Sequence, residues 1–412
     1  MRYKPLAELS PDEYRDATVY AEGWQSWSPL RMYRFGESSD RAPDGREQVV
    51  GWRPSKPVPD GVIQAEGLIA IAPAGGQARA WFAPEPAREV PTLRLSARGE
   101  LSADGAVEEL QAADLAAVLA AVGDRMRAPK VAPIAPGWSS WSCYFDRVSE
   151  ADVAENVAAA LRLRLPIAIA QIDHGYETTI GDWLDVRPTF GSLRGSAERI
   201  REAGMLPGIW TAPFMVDPRS TLAATHPRWL VQTADAGLHW DRRMRILDVT
   251  HPAAAEHLAG VFRTLAGWGF GYFKLDFLYA GAIAGLEAYR TGLELIRTAI
   301  GPTATVLACG APLLPSIGLC DAMRIGPDVL PEAPDPQPDI ETMTRITGMR
   351  SWMNGRLWVN DPDHLVARAE IHEREAWASY LEGYGGVAFS SDRLAALDER
   401  GLELTRRVLA GL

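Results

Sequence analysis

The sequence predicts an α/β protein, a (β/α)8 TIM barrel preceded by a small β-sandwich-like N-terminal domain. Three observations predict it. From residue 137 onward, eight short and nearly all-apolar runs alternate with helix-like segments, the pattern of a parallel sheet covered on its outside. The stretch "RAPKVAPIAPGW" (127–138) carries Pro129, Pro133 and Pro136, a density that favours extended backbone and marks a linker. Before it, "GLIAIAP", "ARAWFA" and "TLRLSA" are β-like runs broken by Gly and Pro, followed by an Ala/Leu-rich helix at about 112–126. A chain of 412 residues holds one such barrel and an accessory domain. The division falls at 1–128 and 129–412.

Taken in order, the barrel strands fall on "GWSSWSCYF" (137–145), "PIAIAQID" (166–173), "LPGIWTAPF" (206–214) and "GYFKLDFL" (271–278). Four more follow: "TVLACG" (305–310), "AMRIG" (322–326), "RLWVND" (356–361) and "GVAFSSD" (386–392). Helices are expected at 150–163, 193–203, 252–267, 284–300 and 366–382, and one more helix ends the chain. Two hexapeptides differ at a single position, "GWQSWS" (23–28) and "GWSSWS" (137–142), one in each predicted domain. Their flanks do not match, so a duplication is not indicated; core packing and two walls of one site both fit.

The composition, 47% hydrophobic and 23% charged, is that of an ordinary globular protein. A net charge of −11 argues against nucleic acid or an anionic membrane, which need clustered Lys and Arg. A neutral, polyhydroxylated substrate is indifferent to it. Three cysteines, Cys143, Cys309 and Cys320, form neither a disulfide framework nor a CxxC metal site. The opening "MRYKPLAELSPDEYRDATVY" lacks the apolar centre of a signal peptide, and no run reaches the roughly 18 apolar residues of a membrane span. A reduced, cytoplasmic protein is the expectation. Only four of the 42 basic residues are lysines, Lys4, Lys56, Lys130 and Lys274, so a retained lysine can mark a place that requires a compact ammonium.

In such barrels the C-terminal ends of the strands face the active site. Read in order, those ends give Asp173 and His174, Lys274 and Asp276, Cys309, Arg324 and Asp328, and Asp361 and Asp363. In "YFKLDF" strand alternation puts Lys274 and Asp276 on one face and Phe273, Leu275 and Phe277 on the other. An ammonium close by would keep the Asp276 carboxylate ionised and make it a competent nucleophile, the alternative being a structural ion pair across the mouth. Asp328, four residues after Arg324, is the natural second carboxylate. Glycoside hydrolysis needs such a pair, one to attack or stabilise the oxocarbenium-like centre and one to protonate the departing oxygen. The fourteen Trp suit a sugar, whose C–H faces stack on indole, and several lie beside these ends: Trp141, Trp183, Trp210, Trp240 and Trp358. The seven histidines show no HxH or HExxH arrangement, which speaks against a metal hydrolase; no metal or other cofactor is expected. There is no GxSxG elbow, and "GYGG" (383–386) precedes strand eight instead of following it.

The motifs "GWSSW", "IDHGYETTIGDW", "GIWTAPF", "HPRWLV", "YFKLDFLYAGA", "CGAPLLPSIG", "RIGPD" and "NDPD", in this order, resemble glycoside hydrolase family 36, the bacterial α-galactosidases or melibiases. The resemblance runs from about Gly23 to the end of the chain. It implies retaining hydrolysis of terminal α-D-galactosides from small oligosaccharides through a covalent glycosyl-enzyme. It makes Asp276 the nucleophile and Asp328 the acid/base. It gives Lys274, Cys309, Arg324 and Asp173 to the sugar hydroxyls, Trp240 to an aromatic platform, and Trp27 to a loop reaching over the barrel mouth beside Trp141. Two departures bear on the sugar: His174 stands where the family often has a second acid, and Ser142 where a Tyr is common. The sugar could then be a relative altered at C4 or C6, an α-N-acetylgalactosaminide or a β-L-arabinopyranoside; galactosyl transfer shares the same intermediate. A non-catalytic sugar-binding protein is the reading from a different class. The N-terminal part is short for the family and no C-terminal β-domain follows in the sequence, which leaves the assembly open, a homo-oligomer included.

Overall fold

The computed structural model describes residues 3–12, 14–128, 131–329 and 340–411; Pro129 and Lys130, at the expected domain boundary, lie outside them. Eight parallel strands form one sheet: β1 (Gly137–Ser139), β2 (Ile169–Ile172), β3 (Leu206–Thr211), β4 (Tyr272–Leu275), β5 (Thr305–Ala308), β6 (Ala322–Arg324), β7 (Val359–Asp361) and β8 (Phe389–Ser390). The spatial order is β7-β6-β5-β4-β3-β2-β1-β8. The Val387 amide, just before β8, donates to the Asn360 carbonyl of β7 at 2.8 Å, so the two ends of the sheet approach each other. The architecture is TIM-barrel-like, with a β-rich N-terminal region.

Alternation along the strands separates two environments. Ile169, Tyr272, Leu307, Ala322, Val359 and Phe389 form one apolar cluster inside the curl. Gly137 is required there, because a Cβ would meet the Phe389 ring at 2.5 Å. Phe273 and Leu275 point outward into the larger core shared with the helices. One residue pair further along each strand the interior turns polar, through Ser139, Gln171, Lys274, Arg324 and Asp361, all buried.

The covering helices are Glu150–Arg162, Leu193–Glu202, Pro252–Gly267, Leu286–Ile300, Ile340–Met349, Arg374–Tyr384 and Glu399–Ala410. The first opens on a capping box in which Ser149 and Asp152 satisfy each other's backbone amides. Several expectations are adjusted. The run 137–145 is a strand only to Ser139, and Trp141 opens the short helix Trp141–Tyr144. The helix expected at 284–300 is interrupted at Gly285, whose φ of 124° a helix cannot hold. The one expected at 366–382 begins only at Arg374, since Leu365 exchanges backbone hydrogen bonds with Phe389 and Ser391 and keeps its segment extended. Between β5 and β6 only the 3₁₀ turn Leu314–Ser316 occurs.

The N-terminal region fills the space beside that turn. A four-stranded sheet (4–8, 100–103, 92–96, 62–66) and a five-stranded sheet (33–34, 18–21, 68–72, 78–82, 108–112) face each other over Val19, Ile69, Ile71, Trp81, Ile63 and Leu93. The opposite face of the five-stranded sheet, with Leu68, Ala80 and Phe82, packs in one core with Val118, Leu119 and Val122 of helix Leu115–Arg125. The loop after Ala21 then reaches the β5–β6 connection. Ser26 donates its amide to the Ala311 carbonyl and Leu313 donates to Trp24, at 3.0 and 3.1 Å.

A buried ion pair fixes this junction. Arg350 and Glu22 are both fully buried, with Nη2 2.7 Å from the carboxylate. Arg350 Nη1 also donates to the Ser26 and Ile325 carbonyls at 2.8 and 2.9 Å, so one guanidinium ties the loop to the end of β6. Removing one partner of a buried pair leaves the other charge without compensation and costs about 3–5 kcal/mol. Arg350→Met is therefore expected to lower unfolding free energy in urea by that amount, and adding Glu22→Leu should recover part of it. A double variant less stable than the single would contradict this account.

Candidate active site

The polar end of the sheet gathers every residue the strand ends had singled out. Lys274 on β4 is buried and donates to Asp173 Oδ2 at 3.0 Å. Asp173 lies just past β2, and its other oxygen accepts the His174 amide at 2.8 Å. Asp276 is buried just past β4; it accepts the Trp210 indole N–H at 2.9 Å and the Phe277 amide at 2.8 Å. The Cys309 thiol, fully buried past β5, also hydrogen-bonds it. On β6 the buried Arg324 donates Nη1 to Asp328 Oδ1 at 2.8 Å and Nε to Asp361 Oδ2 at 3.1 Å. Asp328 itself is about one-third exposed, the most accessible carboxylate of the group.

The direct partner of Lys274 is thus Asp173. Burial raises the Asp276 pKa, and the opposing Lys274 charge does not cancel it; the Asp328 charge pushes the same way, while the Trp210 and Cys309 hydrogen bonds pull back. An Asp276 held ionised by Lys274 alone, as the sequence suggested, is not what the site provides. For Lys274 burial favours the neutral amine, but Asp173 and Asp276 outweigh it and keep the ammonium.

Aromatic rings close over this end. His174 sits 5.0 Å from Trp210, 5.3 Å from Trp240 and 6.1 Å from Trp141 between ring centroids. Trp27 comes from the N-terminal region and stands edge-on to Phe277 at 5.2 Å. Gly310 allows this approach, since a Cβ there would meet the Trp27 ring at 2.8 Å. Phe277 departs from strict alternation: β4 ends at Leu275, the Phe277 backbone turns left-handed at φ 49°, and its ring joins Trp27, Trp210 and Trp240. Trp240 and Asp241 form the two-residue turn of a hairpin with φ of 48° and 60°, anchored by Arg242 on the buried Asp217 at 2.7 Å.

The two hexapeptides share one division of labour. The first Trp of each is buried, Trp24 beneath the Arg53 guanidinium at 4.6 Å and Trp138 with its N–H on the Asp392 carbonyl at 2.8 Å. The second, Trp27 or Trp141, is half-buried at the mouth. Sequence reasoning did not single out Glu177, which is buried and bonds His174 Nδ1 and the Gly175 amide. Burial alone would lower the His174 pKa; Glu177 reverses this and raises it. The spacing His-x-x-Glu was the signal available. Ser142 is buried and its amide donates to Ser391 Oγ at 2.8 Å. Among the described residues no group of three or more His, Cys, Asp or Glu is arranged for a metal ion, and no helix is long and apolar enough to cross a membrane.

Two carboxylates at the ends of β4 and β6, one held by an indole N–H and the other by a buried cation, and roofed by tryptophans, define a glycoside-hydrolase type of site. Comparison with known proteins agrees. Residues 172–280 match the Melibiase family model. The solved α-galactosidase TtGalA of Thermus thermophilus, in complex with p-nitrophenyl α-D-galactopyranoside, superposes with a TM-score of 0.84 at 26% identity over 95% of this chain and 86% of that one. A curated relative, α-galactosidase AgaA of Geobacillus stearothermophilus, is 23% identical over 147 residues, 34% of this chain and only 20% of AgaA. The solved structure of AgaA, a family 36 enzyme, shares the fold at a TM-score of 0.66 and 14% identity, over 97% of this chain and 61% of that one. The chain is thus similar to the α-galactosidases of glycoside hydrolase family 36, and its residues 172–280 carry the melibiase pattern.

The raised Asp276 pKa has a consequence for stability. The unfolded chain loses this proton near pH 4, whereas the folded protein holds it to higher pH. The ionised side chain therefore costs stability at neutral pH, and the cost disappears as pH falls below the unfolded value. Asp276→Asn should raise the urea midpoint at pH 7, with the gain vanishing below about pH 4. An Asn variant less stable than the parent at pH 7 would refute this.

Proposed function

We propose that the protein is a retaining α-galactosidase acting on terminal α-D-galactose of small oligosaccharides. The observation that carries this reading is the pair Asp276 and Asp328 at the ends of β4 and β6, each with its own cationic or N–H support. In the first step Asp276 Oδ attacks the anomeric carbon while Asp328 gives its proton to the departing glycosidic oxygen. A covalent glycosyl-enzyme forms. In the second step Asp328 takes a proton from water, the hydroxide equivalent attacks the anomeric carbon, and the bond to Asp276 breaks. Asp173, Lys274, Cys309 and Arg324 bind hydroxyls, and Trp27, Trp141 and Trp240 with His174 form the walls. TtGalA has also been solved with stachyose, which supports an oligosaccharide as substrate here. We read the sheet as a closed (β/α)8 barrel of residues 129–412 and the region 1–128 as an accessory domain that contributes Trp27. Three free cysteines favour the cytoplasm.

His174 favours a second reading within the same chemistry. Held by Glu177 among three tryptophans, it places a bulky donor on the β2 side of the pocket, and a sugar altered at C4 or C6 would meet it first. Transfer to a sugar acceptor in place of water shares the glycosyl-enzyme, and product analysis with excess acceptor distinguishes it.

The decisive assay is release of the aryl group from an aryl α-D-galactoside. The parent should turn over, and Asp276→Ala should lose at least about three orders of magnitude in kcat/KM. A silent parent that cleaves an α-N-acetylgalactosaminide or a β-L-arabinopyranoside would move the reading to the altered sugar. Trp27→Ala should raise KM roughly tenfold with the melting temperature held, as expected for a lost ring contact; unchanged KM would remove Trp27 from the pocket.

A further inference from the structure

The strand-seven motif "NDPD" ends in a residue that the reaction above does not use. Asp363 is buried and stands with a left-handed backbone, φ 91°, a conformation uncommon outside Gly, Asn and Asp. It makes two contacts that converge on one neighbour. Its Oδ2 accepts the amide of Val329 at 2.6 Å, which fixes the backbone next to Asp328. Its Oδ1 lies 2.6 Å from Arg324 Nη2, out of hydrogen-bond alignment but in close ionic contact. The same guanidinium holds Asp328 through Nη1 and Asp361 through Nε.

We propose that Asp363 is a positioning residue for the acid/base step: it shares Arg324 with Asp328, grips the adjoining backbone, and so sets how firmly the cation holds the Asp328 carboxyl. This rests on the reading of Asp328 as acid/base. The groups facing Asp363 are Arg324 from β6, Asp361 from β7, Asp328 and the neighbouring His364, whose Nδ1 lies 3.4 Å away. One cation thus serves three carboxylates in a largely dry space. Burial raises the Asp363 pKa to about 7, with Arg324 opposing and Asp328 and Asp361 adding to it. His364 stays neutral, its pKa pulled down by burial and by the Lys274 and Arg324 charges. Because Arg324 is shared within this set, the charge of Asp363 bears on the alkaline limb of kcat/KM. Removing the Asp363 charge leaves two carboxylates on Arg324, and the last proton departs at lower pH.

The test is the pH profile of kcat/KM for Asp363→Asn. Asn tolerates the left-handed backbone and keeps an oxygen for the Val329 amide. The alkaline limb should move down by roughly one pH unit, while the acid limb, set by Asp276, stays in place. Asp363→Gly, which suits the positive φ, should move the limb in the same direction and serves if the Asn variant does not fold. The shift should appear with a p-nitrophenyl galactoside and disappear with a dinitrophenyl galactoside, whose leaving group needs little protonation. A profile lowered uniformly with both limbs unmoved would assign Asp363 a structural role only and overturn the proposal. A parent that turns over but is matched by Asp328→Ala would overturn the underlying assignment of Asp328 instead.

Discussion

Two cations, Lys274 and Arg324, lie buried at the end of an otherwise apolar sheet and face five carboxylates, Asp173, Asp276, Asp328, Asp361 and Asp363. Charge cannot be left unbalanced in such a place, because desolvation is costly for each ion that is not paired. The pairing divides cleanly. Lys274 takes Asp173, Arg324 takes the carboxylates from β6 and β7, and Asp276 is left with neutral donors, the Trp210 indole and the Cys309 thiol, beside the Lys274 field. The carboxylate without a cation bound directly to it is therefore the one we propose to attack. A carboxylate bound tightly by a cation would be a weaker nucleophile, so the instability of Asp276 as an anion and its proposed chemical use have one origin.

The sheet does not build this site alone. Where a barrel helix would follow β5, there is a 3₁₀ turn, and the loop of the N-terminal region lies against it. Glu22 and Arg350 hold that loop, and the same guanidinium reaches the carbonyl of Ile325, the residue after Arg324. The position of Trp27 over the mouth and the end of β6 beneath Asp328 are thus set by one buried pair. A buried pair of this kind adds little net stability compared with an apolar substitute, but it fixes register. Here the register is that of two chain segments more than 300 residues apart.

Much of this was legible in the sequence, and for identifiable reasons. The all-apolar strands signalled burial on both faces, and the charges at their C-terminal ends stood out against them, which exposed Lys274, Asp276, Arg324 and Asp328. What escaped depends on contacts that no local pattern encodes. Lys274 and Asp276 share a face as alternation requires, yet the ammonium turns to Asp173, 101 residues earlier, because β2 lies within reach across β3. Phe277 was assigned to the outer face, but the strand stops two residues before it and the backbone reverses. Glu177 was passed over because its one local sign, the His-x-x-Glu spacing, gains meaning only once the fold buries both side chains against each other.

The near-identical hexapeptides carry the same lesson further. "GWSSWS" goes from strand into helix after Ser139, whereas "GWQSWS" contains neither, only a bridge between Gln25 and Pro312. The backbone conformations differ, yet both place a buried indole three residues before one at the mouth. Each anchoring Trp is followed by a tight turn that carries the second ring to the mouth. Ser28 Oγ accepts the Gln25 amide and Ser139 Oγ accepts the Trp141 amide, so each turn is closed by its own hydroxyl. The shared sequence is accounted for by a shared mechanical task, to hold a large ring at the edge of a pocket, and requires no common ancestry between the two segments.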